Sequence, residues 1–166
     1  AATKGAYPSR RHRPRLVAFA NPEGTMQTPF NFTLGIDPQA RDVVVKGLLA
    51  YNLGQMGRSN TYDDFELYAR DTDGEVVGGM FGQSGMGWLY IDYLWLQDDQ
   101  RGSGLGSQLI ALAEDEARRR GCVGLFLYTY SFQAPGFYEK QGFERMGVLE
   151  DCPPGHQRIY LKKHLG

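Results

Sequence analysis

From residue 30 onwards, hydrophobic and polar positions follow two periods that alternate along the chain. Stretches in which every second position, or almost every position, is apolar predict strands near residues 30–34, 65–70, 75–81, 88–96, 123–130, 143–149 and 157–162. Apolar positions three and four apart predict helices after Asp37-Pro38, over Leu105–Arg120 and over Pro135–Gln141. A helix between two strands predicts one parallel pair in an otherwise antiparallel sheet.

The helix over Leu105–Arg120 has the clearest pattern. Gly121 directly after it is the residue type that ends helices in a left-handed conformation. The next strand, 123–130, is almost continuously apolar, which predicts burial on both faces. The predicted inner face of the helix consists of Leu105, Leu109, Leu112, Ala113 and Ala117.

Residues 1–29 differ from the rest of the chain. They contain the basic run 10–15 and four prolines, so we expect a flexible N-terminal extension. The alternative is a basic arm for an anionic partner. Residues 30–166 are expected to form a single domain.

Charge and cysteine content narrow the class of protein. Lys and Arg number 18 and Asp and Glu number 19, which gives a net charge of −1 and disfavours a nucleic-acid partner. The two cysteines predict neither a disulfide framework nor a metal site. The sequence shows no membrane-spanning run and no signal peptide pattern. We therefore expect a soluble, cytoplasmic protein without a membrane partner.

The segment 94–106 carries the strongest chemical signal. A strand, a short loop and three alternating glycines lead directly into a helix, whose first amides are free to bind an anion. The spacing fits neither a dinucleotide fingerprint nor a P-loop. A structural turn that begins the helix explains the same glycines.

Two motifs together resemble the GNAT superfamily of N-acetyltransferases. Residues 101–106, Arg-Gly-Ser-Gly-Leu-Gly, match its R-x-x-G-x-G pattern, and residues 134–143 resemble its second signature, Ala-x-x-x-Tyr-x-Lys-x-Gly-Phe. The resemblance implies an α/β fold, with a mixed and mostly antiparallel central sheet that has one parallel strand pair and is flanked by helices. It also implies acetyl-CoA as co-substrate, no metal, and direct transfer in a ternary complex.

The resemblance further implies which residues bind acetyl-CoA. The amides of the glycine loop would hold the pyrophosphate, with the Arg101 side chain as an extra contact. The backbone of the strand end would pair with the pantetheine arm, and the Leu96 amide would polarise the thioester carbonyl. Ser131 stands where many members have an asparagine that contacts the co-substrate. The implied binding residues are Leu94, Trp95, Leu96, Arg101, Gly102, Ser103, Gly104, Leu105, Gly106, Ser131 and Tyr138.

Two residues are candidates for proton transfer. Tyr138 matches the tyrosine that many members use to protonate the departing thiolate; the alternative is a core tyrosine on a short helix. Asp92 is expected, by strict alternation, on the same side of its strand as Leu94 and Leu96. There it would accept a proton or bind the amine, or else serve as a structural carboxylate.

The expected acceptor is a primary amine of a small molecule. A protein or peptide amine is the alternative substrate, and a non-catalytic acyl-CoA-binding module is the alternative function. For the oligomeric state, the sequence allows a homodimer.

Overall fold

The structure, a computed structural model, describes residues 15–17, 32–57 and 61–166. The chain divides into two compact units, residues 1–59 and 60–166. Among the described residues, no helix is both long enough and apolar enough to cross a bilayer.

In the first unit, two short strands and one long helix are described. Strand β1 (Arg15–Val17) pairs antiparallel with β2 (Phe32–Leu34), and α1 spans Pro38–Met56. As predicted, Asp37 caps the helix: its Oδ1 accepts the amides of Gln39 and Ala40, each at 3.0 Å. The remainder of the predicted extension 1–29 lies outside the described residues.

The second unit is built on a six-stranded sheet with two helices. The strand order is β3-β4-β5-β6-β8-β7, and β5–β6 is the parallel pair among antiparallel neighbours, which confirms the predicted fold class. The connection from β5 to α2 includes a turn of 3₁₀-helix at Asp98–Gln100. The elements are β3 (Asp63–Arg70), β4 (Val76–Gly85), β5 (Trp88–Leu96), α2 (Leu105–Arg119), β6 (Gly124–Tyr130), α3 (Pro135–Lys140), β7 (Glu144–Leu149) and β8 (Arg158–His164).

Helix α2 covers one face of this sheet and forms the core with it. Leu109 and Ile110 are buried in that core, but Leu112 is 52% exposed, so its predicted place on the inner face is wrong. At 100° per residue, Leu112 lies about 115° from the middle of the buried face. The buried sheet residues are Phe65, Met80, Leu89, Ile91, Leu125, Leu127, Ile159 and Leu161.

The opposite face of the sheet is rich in aromatic side chains, and we call it the aromatic face. Along β6, Leu125 and Leu127 are buried on the α2 side, whereas Phe126, Tyr128 and Tyr130 on the other side are only half-buried. The prediction that this strand is buried on both faces is therefore wrong, because aromatic residues read as apolar in the sequence. The aromatic face of the three central strands includes Trp88, Tyr90, Phe126, Tyr128, Tyr130 and Tyr160.

A single arginine fastens the end of α2 to the sheet. The Arg120 guanidinium donates to the backbone carbonyls of Asp63 and Asp64 and to Ser84 Oγ, each at 3.0 Å. Its Nε lies 2.6 Å from a Glu116 carboxylate oxygen. Hydrogen bonds from Arg119 and Arg120 lower the pKa of Glu116 to about 2. Arg120 therefore connects α2 to two strands through nearly all of its donors.

We expect Arg120→Ala to lower the free energy of unfolding by about 2 kcal/mol, because charge-assisted bonds to partly buried acceptors are lost. Arg119→Ala is the matched control, since Arg119 also bonds Glu116 but is 71% exposed. Urea denaturation of both variants measures the difference. Equal losses in the two variants would contradict the role given to Arg120.

Candidate functional site

The two parallel strands separate before they end, and we call the resulting gap the fork. Their pairing runs from Trp88↔Gly124 to Ile91↔Leu127 and then stops. Both strands continue, β5 to Leu96 and β6 to Tyr130. The fork therefore opens at the carboxyl ends of adjacent parallel strands, a common position for ligand sites in α/β proteins.

A β-bulge in β5 lies at the point where the fork begins. Phe81 pairs with Tyr93 and the next residue, Gly82, pairs with Ile91, so Asp92 is an extra residue in β5. Gly82 makes the bulge sterically acceptable, because a Cβ there would lie 1.9 Å from the Tyr90 carbonyl oxygen. Bulges bend a strand and increase its twist. This bend carries β5 away from β6 immediately after their last pair.

Beyond the bulge, the backbone of β5 presents alternate residues to the fork. The Gln97 amide donates to the Val77 carbonyl at 2.9 Å, on the β4 side. Since backbone groups alternate sides along a strand, Trp95 also directs its amide and carbonyl toward β4. Leu94 and Leu96 direct theirs toward the fork. Because the backbone groups of Trp95 face β4, only its side chain, which is 41% exposed, can contact a ligand in the fork.

The glycine loop joins β5 to α2 next to the fork. Gly102 and Gly104 have φ angles of +78° and +92°, and the space around each is open. Gly104 caps α2 without a side chain, so the amides that follow Leu105 in the first helical turn have no side-chain cap and can bind an anion. Ser103 Oγ is already engaged, donating to the Gln100 carbonyl at 2.8 Å and accepting the Leu105 amide at 3.3 Å. Arg101 is exposed and pairs with Asp98 at 2.8 Å.

The first turn of α2 touches α3 directly. A Cβ on Gly106 would lie 3.1 Å from the Phe137 ring and 3.4 Å from a methyl group of Leu96. Glycine at position 106 therefore allows the end of β5, the start of α2 and the short helix α3 to meet. The two sequence motifs, which are about thirty residues apart in the chain, are in contact here.

Tyr138 follows Phe137 in α3 and packs against the core. Its ring makes edge contacts with Phe137 and Phe143, at centroid distances of 5.0 and 5.9 Å. Burial raises the pKa of the Tyr138 phenol to about 12. The hydroxyl therefore keeps its proton throughout the neutral range and can act only as a proton donor there.

The Asp92 carboxylate lies on the aromatic face. Its Oδ1 is 3.4 Å from the Tyr90 hydroxyl, whereas Leu94 and Leu96 pack against the core on the other side. The prediction that Asp92 shares their side of the strand is wrong, because the bulge shifts the alternation by one residue. Burial, followed by the charge of Asp92, raises the pKa of Tyr90.

Ser131 connects the loop before α3 to the start of β8. Its amide donates to the Gln157 carbonyl at 2.9 Å, and its Oγ accepts the Gln157 amide at 3.1 Å. The same Oγ is 3.5 Å from His156 Nδ1. The Ser131 hydroxyl is therefore part of a structural link, whatever else it contacts.

Sequence reasoning missed Arg158 on β8. It pairs across the sheet with Tyr130, near the open end of the fork. Its guanidinium carbon lies 4.3 Å from the centroid of the Tyr128 ring, and its Nη2 donates to the Tyr130 hydroxyl at 2.6 Å. Only the strand register brings it to β6, although the alternation of Ile159 and Leu161 could have placed it on the aromatic face.

Comparisons with known proteins agree with this geometry. The model of the acetyltransferase (GNAT) family matches residues 47–143. An acetyltransferase of Agrobacterium fabrum is 36% identical over 80% of this chain and 98% of its own length. The blasticidin-S acetyltransferase of Streptomyces morookaense is 43% identical over 61% of this chain and 75% of its own. The crystal structure of an acetyltransferase from Bacillus cereus superposes with a TM-score of 0.74 at 30% identity, covering 80% of this chain and 96% of that one.

The chain therefore belongs to the GNAT acetyltransferase family, as the two sequence motifs predicted. The fork, the glycine loop and α3 stand together in the folded protein.

We expect Gly82→Ala to destabilise the protein by about 3 kcal/mol, because the added methyl group collides with backbone that cannot move aside. Gly147→Ala is the control, since a Cβ there meets nothing within 4 Å. Thermal unfolding of both variants tests this. A Gly82 variant as stable as the control would mean that the bulge does not depend on glycine.

Proposed function

We propose that the protein transfers an acetyl group from acetyl-CoA to a primary amine of a small molecule, directly and within a ternary complex. The observation that carries the proposal is the fork next to an uncapped helix start. An extended acyl-pantetheine chain can pair with a free strand edge, and its pyrophosphate can bind amides at the beginning of a helix.

Backbone groups supply most of the proposed co-substrate site. Leu94 and Leu96 turn their amides and carbonyls toward the fork, where an extended amide chain can pair with them. The glycine loop borders open space suited to an anion, and Gly102 and Gly104 keep that space free of side chains. Arg101 can exchange its exposed bond to Asp98 for a phosphate contact at small cost.

The proposed reaction forms a carbon–nitrogen bond and breaks a carbon–sulfur bond. The Leu96 amide, directed at the fork, is placed to stabilise negative charge on the thioester oxygen. Tyr138 donates its proton to the departing thiolate and recovers one from solvent. The attacking amine loses a proton to Asp92, directly or through water, so that an amide and free CoA leave the site.

Support for a small acceptor comes from the relatives and from the aromatic face. The Streptomyces relative is named for an antibiotic, blasticidin S. In this chain the fork is flanked by the phenol rings of Tyr90, Tyr128 and Tyr130, which suit a compact organic molecule. Asp92 provides a carboxylate among them for an ammonium group.

We expect Gly104→Asp to abolish acetyl-CoA binding in isothermal titration, because it puts a negative charge and a strained backbone into the anion site. Gly74→Asp is the control: it has a similar φ of +86° and open surroundings, but lies in the β3–β4 turn. Free CoA serves as the comparison ligand. If the wild-type protein binds neither ligand, the glycine loop is only a helix start and the proposal fails.

We expect Tyr138→Phe to lower kcat by about 100-fold or more while acetyl-CoA affinity is kept, since only the proton donor is removed. With a phenol pKa of about 12, ionisation of Tyr138 should cause no loss of activity up to about pH 10. Tyr68→Phe is the control, because the Tyr68 side chain is exposed on β3. Unchanged turnover in Tyr138→Phe would refute its role as the acid.

A further inference from the structure

Arg158 is a partly buried cation for which the described part of the chain offers no anionic partner. Among the described residues, no aspartate or glutamate forms an ion pair with its guanidinium, and its buried Nε has no hydrogen-bond acceptor. Arg120 and Lys163, on the α2 side of the sheet, each reach a glutamate, at 2.6 and 2.5 Å. Tyr130 and Tyr160 are the hydrogen-bond partners of the guanidinium, and neither carries a negative charge. A partly buried charge without an opposite charge beside it calls for a specific explanation, because burying it unpaired is costly.

The position of the guanidinium is fixed by aromatic groups. It stacks over Tyr128 at 4.3 Å and lies 5.3 Å from the centroid of the Tyr130 ring. The Tyr130 hydroxyl accepts its Nη2 at 2.6 Å, which leaves the phenolic proton free to be donated elsewhere. These contacts hold the planar guanidinium in place without neutralising its charge.

Arg158 and Asp92 have opposite effects on the pKa of the Tyr90 phenol. The negative charge of Asp92 raises the pKa of Tyr90, and the positive charge of Arg158 lowers it. The Tyr90 hydroxyl oxygen lies 3.4 Å from Asp92 Oδ1. The aromatic face next to the fork therefore presents one anionic and one cationic group.

We infer that Arg158, together with the Tyr130 hydroxyl, binds a carboxylate of the acceptor, so that the acceptor is an amine that also carries a carboxylate. This inference rests on the proposed acetyltransferase function, in which the acceptor is the amine that receives the acetyl group. The planar guanidinium matches the two oxygens of a carboxylate. A single guanidinium neutralises one negative charge, which favours a carboxylate over a phosphate dianion.

The first test compares matched amines in a thiol-release assay. The panel is phenylalanine, 4-aminobutyrate and lysine, each beside its carboxamide, with O-phosphoethanolamine as the phosphate arm. We expect at least one carboxylate to exceed its carboxamide by about 10- to 100-fold in kcat/KM. Preference for the phosphate compound, or for none of the carboxylates, overturns the inference.

Arg158→Gln should remove this preference, because it should lower the kcat/KM of the carboxylates more than that of the carboxamides. Lys162→Gln is the matched control, because it removes a positive charge from the same strand, β8, four residues after Arg158. Arg158→Lys keeps the charge but loses the planar donors, so it should retain only part of the preference. An equal loss for carboxylates and carboxamides in Arg158→Gln would show that the arginine only supports the tyrosines.

A measurement without turnover separates this inference from the proposed function. In nitrogen-15 NMR of the wild-type chain, the Arg158 Nε–H resonance should shift with a carboxylate amine and not with its carboxamide. No shift with any carboxylate of the panel overturns the carboxylate site. A shift in a protein that fails to bind acetyl-CoA would leave the site standing and refute the acetyltransferase proposal.

Discussion

The bulge between Gly82 and Asp92 is the constraint on which the rest of the site depends. One extra residue in β5 bends that strand just after its last pair with β6, and the two parallel strands then separate. The separation exposes the backbone of Leu94 and Leu96. The bulge also places the Asp92 carboxylate on the aromatic face, where strict alternation would have put it on the core side. Glycine at position 82 permits the bulge, because a Cβ there would lie 1.9 Å from the Tyr90 carbonyl oxygen.

Most of the framework could be predicted from the sequence, because it rests on local patterns. Helix α1 begins at its predicted cap, β5 has its predicted bounds, and α2 ends within one residue of the prediction. The parallel pair followed from a helix between two strands. The glycine loop and the tyrosine of α3 belong to short contiguous motifs, so the sequence alone was enough to name them as candidates.

What could not be predicted depends on register across strands. Strict alternation put Asp92 beside Leu94, since a bulge leaves no periodic signal in its own strand. Leu112 fits the helical spacing of leucines, but lies outside the face that Ile110 and Ala113 define. Arg158 is more than sixty residues from Asp92 in the chain, and only the pairing of β8 with β6 brings it to Tyr130.

The contact between Gly106 and Phe137 has a consequence for sequence variation in the family. No side chain separates α2 from α3 at this point, so the two positions share one volume. A larger residue at position 106 requires a smaller one at position 137, or α3 must move together with Tyr138. Relatives are therefore expected to vary these two sites jointly, although each belongs to a different motif.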